Sequence, residues 1–467
     1  MPPVSITYDT LRTGPIPLRI FVVMNITILG AALSGLAAAQ LARRTGNDVF
    51  VTDAKPAEKT SEAVGILKRE GIAHEFGGHT DRALEADLIV TSPGVPPSNI
   101  VRQRAAERGI PVIGELEYAS RMMTNPLIAI TGTNGKTTTT ALTAWILQQS
   151  GRSAVTAGNI GTPLSSLVGM ISPDTIVVVE ASSYQLDTTV SFRPRVSILT
   201  NVTPDHLSYH GTFEQYVHAK WKIFANQRDN DVVVLNADDP HAAAGASTAQ
   251  GMVSMFSTSH EVERGAFVRG DEIILRAGLQ HNEEILMPVR RIGLPGVHNL
   301  YNSLAATLAA RAFEVRNEDI RDSLQSFAGV EHRLEYVRTF HDVRYYNDSK
   351  ATNVNAAWYA LASFDRPIVW IAGGRGDNND YGQLDDLVDT NVKAIVCIGE
   401  ETDTIFNHWC TRKRCVKSPT LQDAVRHASE LAEHDDIVLF SPACKSFDMF
   451  DNFEQRGRVF KDLVSQL

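Results

Sequence analysis

The segment Leu127-Ile-Ala-Ile-Thr131, followed at once by Gly-Thr-Asn-Gly-Lys-Thr137 and then by an Ala-, Thr- and Leu-rich run to Gln149, leaves few choices of fold. A short apolar run bounded by glycines reads as a buried strand, and the longer run after it as a helix. A strand that passes through a glycine turn directly into a helix opens a βαβ unit, so the chain around it belongs to a parallel α/β sheet. Glycines at that turn let backbone N–H groups point at phosphate oxygens from the helix N-terminus. Lys136 then reaches the β and γ phosphates of a nucleotide, and the Thr137 hydroxyl ligates Mg²⁺. The generic GxxxxGK[ST] pattern is not fully met, because Ile130 stands where its first glycine belongs. A glycine turn that merely links strand to helix is the bland alternative.

The same alternation extends on both sides. Asn25 to Asp53 reads strand, Gly- and Ala-rich turn, helix to Arg44, strand, and Leu-Ile-Val-Thr91 adds a strand ending at a Pro-Gly turn. Strands ending at Glu180, Asn201 and Asn236 follow the glycine loop, and strands near 343–347, 368–372, 394–399 and 437–441 restart the pattern after Gly329. Residues 251–292 read as a small antiparallel insertion. With ~150 residues per domain, the 467 residues divide into three. A Rossmann-like domain covers 24–117, a parallel-sheet domain carrying the glycine loop 118–329, and a second Rossmann-like domain 330–467. Residues 1–23, with four prolines and no period, read either as a disordered extension or as residues upstream of a true start at Met24.

A net charge of -10 argues against a backbone-binding nucleic-acid protein, which needs clustered Lys and Arg. No apolar run approaches the ~20 residues of a membrane span. Cys397, Cys410, Cys415 and Cys444 are too scattered for a disulfide framework and read as reduced thiols of a cytoplasmic chain. Small-molecule chemistry is the expectation.

Other residues read as follows on their own. Glu180 ends an apolar strand, where a carboxylate can hold Mg²⁺ beside the phosphate loop; a solvated strand-end Glu is the alternative. His206 gains interest only from the company of Lys136 and Glu180. Lys220, in His-Ala-Lys-Trp-Lys, reads by spacing as an ordinary helix-surface lysine. Gly30-Ala-Ala-Leu-Ser-Gly35 with Asp53 approaches a dinucleotide fingerprint, but Ala32 replaces its central glycine and weakens an NAD reading.

The order of motifs resembles the Mur ligases and their folylpolyglutamate synthetase relatives. It comprises Thr131–Thr137, Gly158–Gly161, Glu180–Leu186, Asn201–His206, His298–Asn302, His332-Arg333, Asn347–Asn353, and Ser441–Asp448 with Phe453–Gly457. The resemblance spans about Met24 to the C-terminus and implies ATP-dependent amide-bond formation in peptidoglycan synthesis. Its last motifs imply D-glutamate as the incoming amino acid and UDP-N-acetylmuramoyl-L-alanine as the acceptor, handled by a monomer with ATP and two Mg²⁺ ions.

It further implies that ATP lies on Gly132, Thr133, Asn134, Gly135, Lys136, Thr137 and Thr138 with Asn302, Arg333 and Asp348. The metal set is Thr137, Glu180, His206 and Lys220, the lysine as a carbamate, and Lys136, Glu180, His206 and Lys220 are catalytic. The UDP-sugar would meet Leu33, Ser34, Asp53, Gly94, Asn159 and Ser182, and the amino acid Lys350, Thr352, Ser446, Phe447 and Phe453. Relatives commonly place a lysine where this chain has Asp377, which leaves Arg375 or Lys445 to pair the amino-acid side chain. A folylpolyglutamate-type ligase and an inactive nucleotide-binding module are the competing readings. The N-terminal βαβ unit argues against the first, and the intact Lys136, Glu180, His206 and Lys220 against the second.

Overall fold

The computed structural model of the protein describes residues 23–159, 161–277, 282–294, 296–376 and 379–467. Residues 1–22 and Asp377, on which expectations were placed, lie outside the described residues. The described residues form three sheets in chain order.

The first has five parallel strands, Asn25–Leu29, Asp48–Asp53, Ala73–Phe76, Leu88–Thr91 and Val112–Gly114, with the first at the centre. Its helix Leu33–Arg44 packs close because Gly35 carries no Cβ; one built there would lie 1.9 Å from the Gly30 carbonyl oxygen. Asp53 fastens the turn before this helix, accepting from the Ala31 N–H at 2.7 Å and the Lys55 N–H at 2.8 Å.

The central sheet has nine strands. Leu127–Thr131 lies between Ile176–Glu180 and Val196–Leu199, all parallel, so the C-terminal ends of three buried strands converge beside the glycine loop. The small antiparallel insertion expected at 251–292 is antiparallel only in its second half. Met252–Ser257 pairs parallel with Val232–Asn236 and Gly265–Arg269 parallel with it, so only the last two strands, Glu272–Ala277 and Asn282–Pro288, run antiparallel, as an extension of the same sheet. In the third sheet, six strands carry one antiparallel edge, Glu335–Phe340, which sequence reading did not separate from its neighbour Val343–Asn347.

The cores divide unevenly. One apolar cluster runs from Ile28 and Leu41 of the first sheet through Leu116 and Tyr118 into Leu127, Val177 and Tyr216 of the central sheet. The third sheet has two clusters of its own, drawn from residues after Leu334. Helix Glu115–Ser120 crosses the expected boundary at 117 and joins the first two sheets. Its Glu117 carboxylate accepts from the Val190, Ser191 and Phe192 N–H groups at 2.9–3.0 Å, and Arg121 closes on it at 2.8 Å.

Burial alone would raise the Glu117 pKa, but the hydrogen bonds from Ser191 and Val190 outweigh it and the net shift is downward. A lowered folded pKa stabilises the protein above the unfolded value of ~4.3 and the stability is lost as pH falls through the folded value. Glu117→Ala strands three backbone donors and is expected to cost about 2–4 kcal/mol, seen as a lower melting temperature at pH 7. The deficit should shrink toward pH 3, where the wild-type carboxylate is itself being protonated.

Candidate active site

Two glycines shape the loop. Gly132 has φ 155° and Gly135 φ 82°, and a Cβ would meet Thr200 Oγ1 at 1.9 Å or Asn302 Oδ1 at 2.4 Å respectively. The loop is fixed from the neighbouring strand end by Asn201, whose carbonyl accepts the Thr133 N–H and whose side chain accepts the Asn134 N–H, both at 2.9 Å. Helix Lys136–Gln149 starts from it, so the helix N-terminus and the exposed face of the loop point the same way.

Three amines crowd this loop. Lys136 Nζ donates to the Gly132 and Thr133 carbonyls at 2.8 and 2.7 Å, and desolvation lowers its pKa against the opposing pull of Glu180. Lys220, only 1% exposed, donates to the same Gly132 carbonyl at 2.8 Å and lies 4.5 Å over the Tyr216 ring. Burial, and then the charge of Lys136, push its pKa well below the usual lysine value. The helix-surface reading of Lys220 is therefore wrong: its face of helix Phe213–Trp221 is turned into the protein. Lys350 Nζ, from the third sheet's loop, donates to Thr137 Oγ1 at 3.0 Å, and burial brings its pKa down to about 8. The structure thus sets Lys350 on the phosphate loop, whereas the resemblance placed it with the amino acid.

Glu180 faces the same space. Its Oε1 accepts from Asn159 Nδ2 at 3.1 Å, while Oε2 is buried with no hydrogen-bond partner among the described residues. A buried carboxylate oxygen left without a partner, within electrostatic reach of Lys136 and Lys350, suits a hard cation such as Mg²⁺, with phosphate oxygens and water completing its shell. Among the described residues no group of three or more His, Cys, Asp or Glu side chains gathers as a metal site. His206 sits at φ 54° ahead of helix Leu207–His210, with Nδ1 3.4 Å from Asp205 and its ring 4.9 Å from that of Tyr184. Burial, with Lys136 and Lys220 adding to it against Asp205, lowers its pKa and keeps it neutral at pH 7.

Beside the loop opens a cavity of about 450 Å³ lined by Asn134, Gly135, Asn302, Arg333 and Asp348, which brings the expected nucleotide residues together. Asn302 accepts from Thr139 Oγ1 at 3.1 Å, and Thr138 is buried on the helix behind the loop. Asp348 accepts from the Leu334 N–H at 3.2 Å and Ser441 Oγ at 2.7 Å; burial lifts its pKa to about 6 although Arg333 opposes the rise. His332 (φ 65°) and Leu334 (φ 42°) flank Arg333 in left-handed conformations, so this short segment is bent to a set shape. Tyr301, Trp358 and Tyr359 also line the cavity. Sequence reading missed them; Tyr301 adjoins a noted Asn, but nothing marked the two aromatics of helix Val354–Leu361.

The remaining expected residues fall at two edges. Leu33 (65% exposed), Ser34, Asp53 and Gly94 lie along the C-terminal edge of the first sheet. Asn159 lies with Glu180 and not on that edge, and the Ser182 hydroxyl caps helix Ser183–Asp187 by accepting the Gln185 N–H at 3.3 Å.

At the third sheet, Ser446 is buried and Phe447 60% exposed. Thr352 donates its N–H to the Lys350 carbonyl at 3.0 Å, and Phe453 stands 5.7 Å from the Lys350 amine. Arg375 and Lys445 exchange backbone hydrogen bonds at 2.9 Å, and the Arg375 guanidinium forms a two-point pair with Glu400 at 3.0 and 2.7 Å. Sequence reading assigned nothing to Arg456, which is buried and donates to the Ser349 and Cys444 carbonyls at 2.8 and 3.1 Å, tying both motif loops to helix Phe453–Ser465.

A phosphate-type loop at the meeting point of three α/β sheets, with an acceptor edge on one side and a second loop pair on the other, defines a multidomain nucleotide-dependent enzyme. Comparisons place it further. Residues 130–310 match the Mur ligase middle domain, 332–444 the Mur ligase glutamate ligase domain, and 24–114 the MurD-like N-terminal domain. A UDP-N-acetylmuramoylalanine–D-glutamate ligase of Salinibacter ruber is 47% identical over 94% of this chain and 97% of its own length. One of Acidobacterium capsulatum is 44% identical over 94% and 96%. A UDP-N-acetylmuramate-alanine ligase of Thermotoga maritima shares the fold at TM-score 0.58 and 20% identity, covering 95% of this chain and 99% of that one. The chain belongs to the Mur ligase family.

The raised Asp348 pKa gives a direct check. Between the unfolded value near 3.9 and the folded value of about 6, the folded state holds the proton and the unfolded state does not. Stability therefore falls as pH rises through this window, and Asp348→Asn should abolish that part of the slope. Carboxyl NMR should show one aspartate with a midpoint near 6 in the ligand-free protein.

Proposed function

We propose that this protein joins D-glutamate to UDP-N-acetylmuramoyl-L-alanine at the expense of ATP. The observation that carries the mechanism is the open Glu180 oxygen facing a loop on which Lys136, Lys220 and Lys350 converge. Free carboxylates do not acylate amines at neutral pH. In the proposed sequence the L-alanyl carboxylate oxygen takes the γ-phosphoryl group of ATP and ADP leaves; the D-glutamate amine then attacks the acyl phosphate carbon and phosphate leaves.

The loop N–H groups and Lys136 hold the phosphates, Lys136 exchanging its Gly132 and Thr133 carbonyls for phosphate oxygen. Asn302, Arg333 and Asp348 hold the nucleoside end in the adjoining cavity. Lys350 brings a third-domain charge to the phosphates only when the third sheet is docked on the loop, which couples closure to charge neutralisation. Neutral His206 meets substrate as a hydrogen-bonding group. Mg²⁺, held by Thr137, Glu180 and a carbamate on Lys220, would neutralise the charge that accumulates during phosphoryl transfer.

Lys220 suits that modification chemically. Its depressed pKa holds the amine toward its neutral, nucleophilic form, which adds to CO₂ with loss of a proton and becomes an anion among cations. The UDP-sugar lies against Leu33, Ser34, Asp53 and Gly94, and the four free cysteines fit the reducing cytoplasm.

The test is ADP formation measured with ATP and a panel of UDP-muramoyl acceptors and amino acids. Turnover should require both UDP-N-acetylmuramoyl-L-alanine and D-glutamate, and should vanish in a folded Lys136→Ala variant; preference for another amino acid would refute the substrate assignment. Lys220→Ala should be nearly inactive and recover part of its rate when short carboxylic acids are added, and the wild type should carry one extra CO₂ mass at that lysine.

The D-glutamate α-carboxylate and amine are assigned to the side of Thr352, Ser446, Phe447 and Phe453. Its side-chain carboxylate is assigned to Arg375, whose guanidinium also pairs with Glu400, or to Lys445. Alanine at the pairing cation, Arg375 or Lys445, should raise the D-glutamate KM about tenfold or more with the ATP KM unchanged. Unchanged D-glutamate kinetics in both variants would refute the pairing.

A further inference from the structure

The first and central sheets meet on two sides. On one, they share an apolar core, Glu117 grips the backbone at 190–192, and Arg44 Nη2 donates to the Val168 carbonyl at 3.1 Å. On the other, Arg102 Nη1 donates to the Val95 carbonyl at 2.9 Å, next to Gly94, and reaches across to the Tyr209 hydroxyl at 3.5 Å. Asp187 lies beside that hydroxyl, and burial raises the Tyr209 pKa, so the phenol stays protonated.

Tyr209 does not stand alone. Its ring meets Tyr184 edge-on at 4.5 Å, and Tyr184 lies 4.9 Å from His206. The Tyr209 ring also lies 4.8 Å from that of His210, which lies 5.3 Å from Tyr216, whose hydroxyl is 3.0 Å from that of Thr133 in the phosphate loop. A continuous series of rings therefore runs from the loop holding Gly94 to the loop that holds phosphate.

We propose that Arg102 and Tyr209 form a clasp that fixes the spacing between the Gly94–Val95 loop and the phosphate loop, and so act as positioning residues for the sugar-nucleotide substrate. This rests on the substrate reading given above. A half-buried polar contact adds little to sheets already joined by a core. A substrate bound at its uridine end by one sheet and activated at its acyl end by another is sensitive to a displacement of ~1 Å between them.

In steady-state assays Arg102→Gln and Tyr209→Phe should each raise the KM for UDP-N-acetylmuramoyl-L-alanine at least fivefold while leaving those for ATP and D-glutamate within twofold. The double variant should be no worse than the weaker single, since either change opens the clasp. Hydrogen exchange without substrate should lose protection at 94–102 and 207–210 together in both variants. Unchanged KM with a lowered melting temperature, or multiplicative effects in the double variant, would overturn the proposal. If the wild type fails to use this acceptor, the substrate reading falls, and coupled or uncoupled exchange of the two segments still decides the clasp.

Discussion

Two amines on one carbonyl set the terms for this site. Lys136 and Lys220 both donate to the Gly132 oxygen, one from the helix that leaves the loop and the other from eighty-eight residues beyond that glycine. Like charges this close in a dry setting repel strongly, so the arrangement favours a neutral Lys220 until an anion arrives. Lys350 and Arg333 add further positive charge from the segments after the central sheet, and Glu180 supplies one anionic face. The result is a cluster of basic groups against Glu180 and Asp205, an imbalance suited to a polyanionic partner. The glycines, the strand end at Asn201 and the packing of Tyr216 under Lys220 are all means of holding that imbalance in place.

The way the cores divide decides what can move. The first and central sheets share one cluster, whereas the third sheet closes its own. The connecting segment belongs mechanically to the third: the His332 N–H bonds Glu335, the Leu334 N–H bonds Asp348, and the His332 carbonyl accepts from Lys350. Arg333, Asp348 and Lys350 are therefore parts of one body, and the joint with the central sheet lies before them, at Gly329 with its φ of 98°. Whatever brings one of these residues to the nucleotide cavity brings all of them.

Much of this was legible in the sequence. The glycine loop, the strand end at Glu180 and the helix to Gln149 follow from local periodicity and turn chemistry and stand where reading placed them, while the strand expected to reach Asn201 stops at Leu199. Short strands such as Ala73–Phe76 and Arg414–Lys417 escaped because their burial is supplied by neighbours rather than by an apolar run of their own. The antiparallel reading of 251–292 held only for its last two strands for a related reason: an alternating edge strand looks alike whether it extends a sheet or starts one. Lys220 shows the limit most clearly. Its burial depends on a helix turned inward by long-range packing, which no spacing rule reveals, and only family resemblance marked it. Trp358 and Tyr359 line a cavity shared with the central sheet and left no local trace, and Arg456, although inside a quoted motif, shows its ties to Ser349 and Cys444 only in the fold.

The separate packing of the third sheet has an evolutionary side. Substitutions that remodel its interior touch none of the clusters that support the phosphate loop or the sugar-nucleotide edge. Selection could therefore retune that sheet toward a different incoming amine while the phosphoryl chemistry was inherited unaltered, provided the few residues that cross the joint were kept. Divergence in what is added, against constancy in how it is activated, is the pattern such an architecture permits.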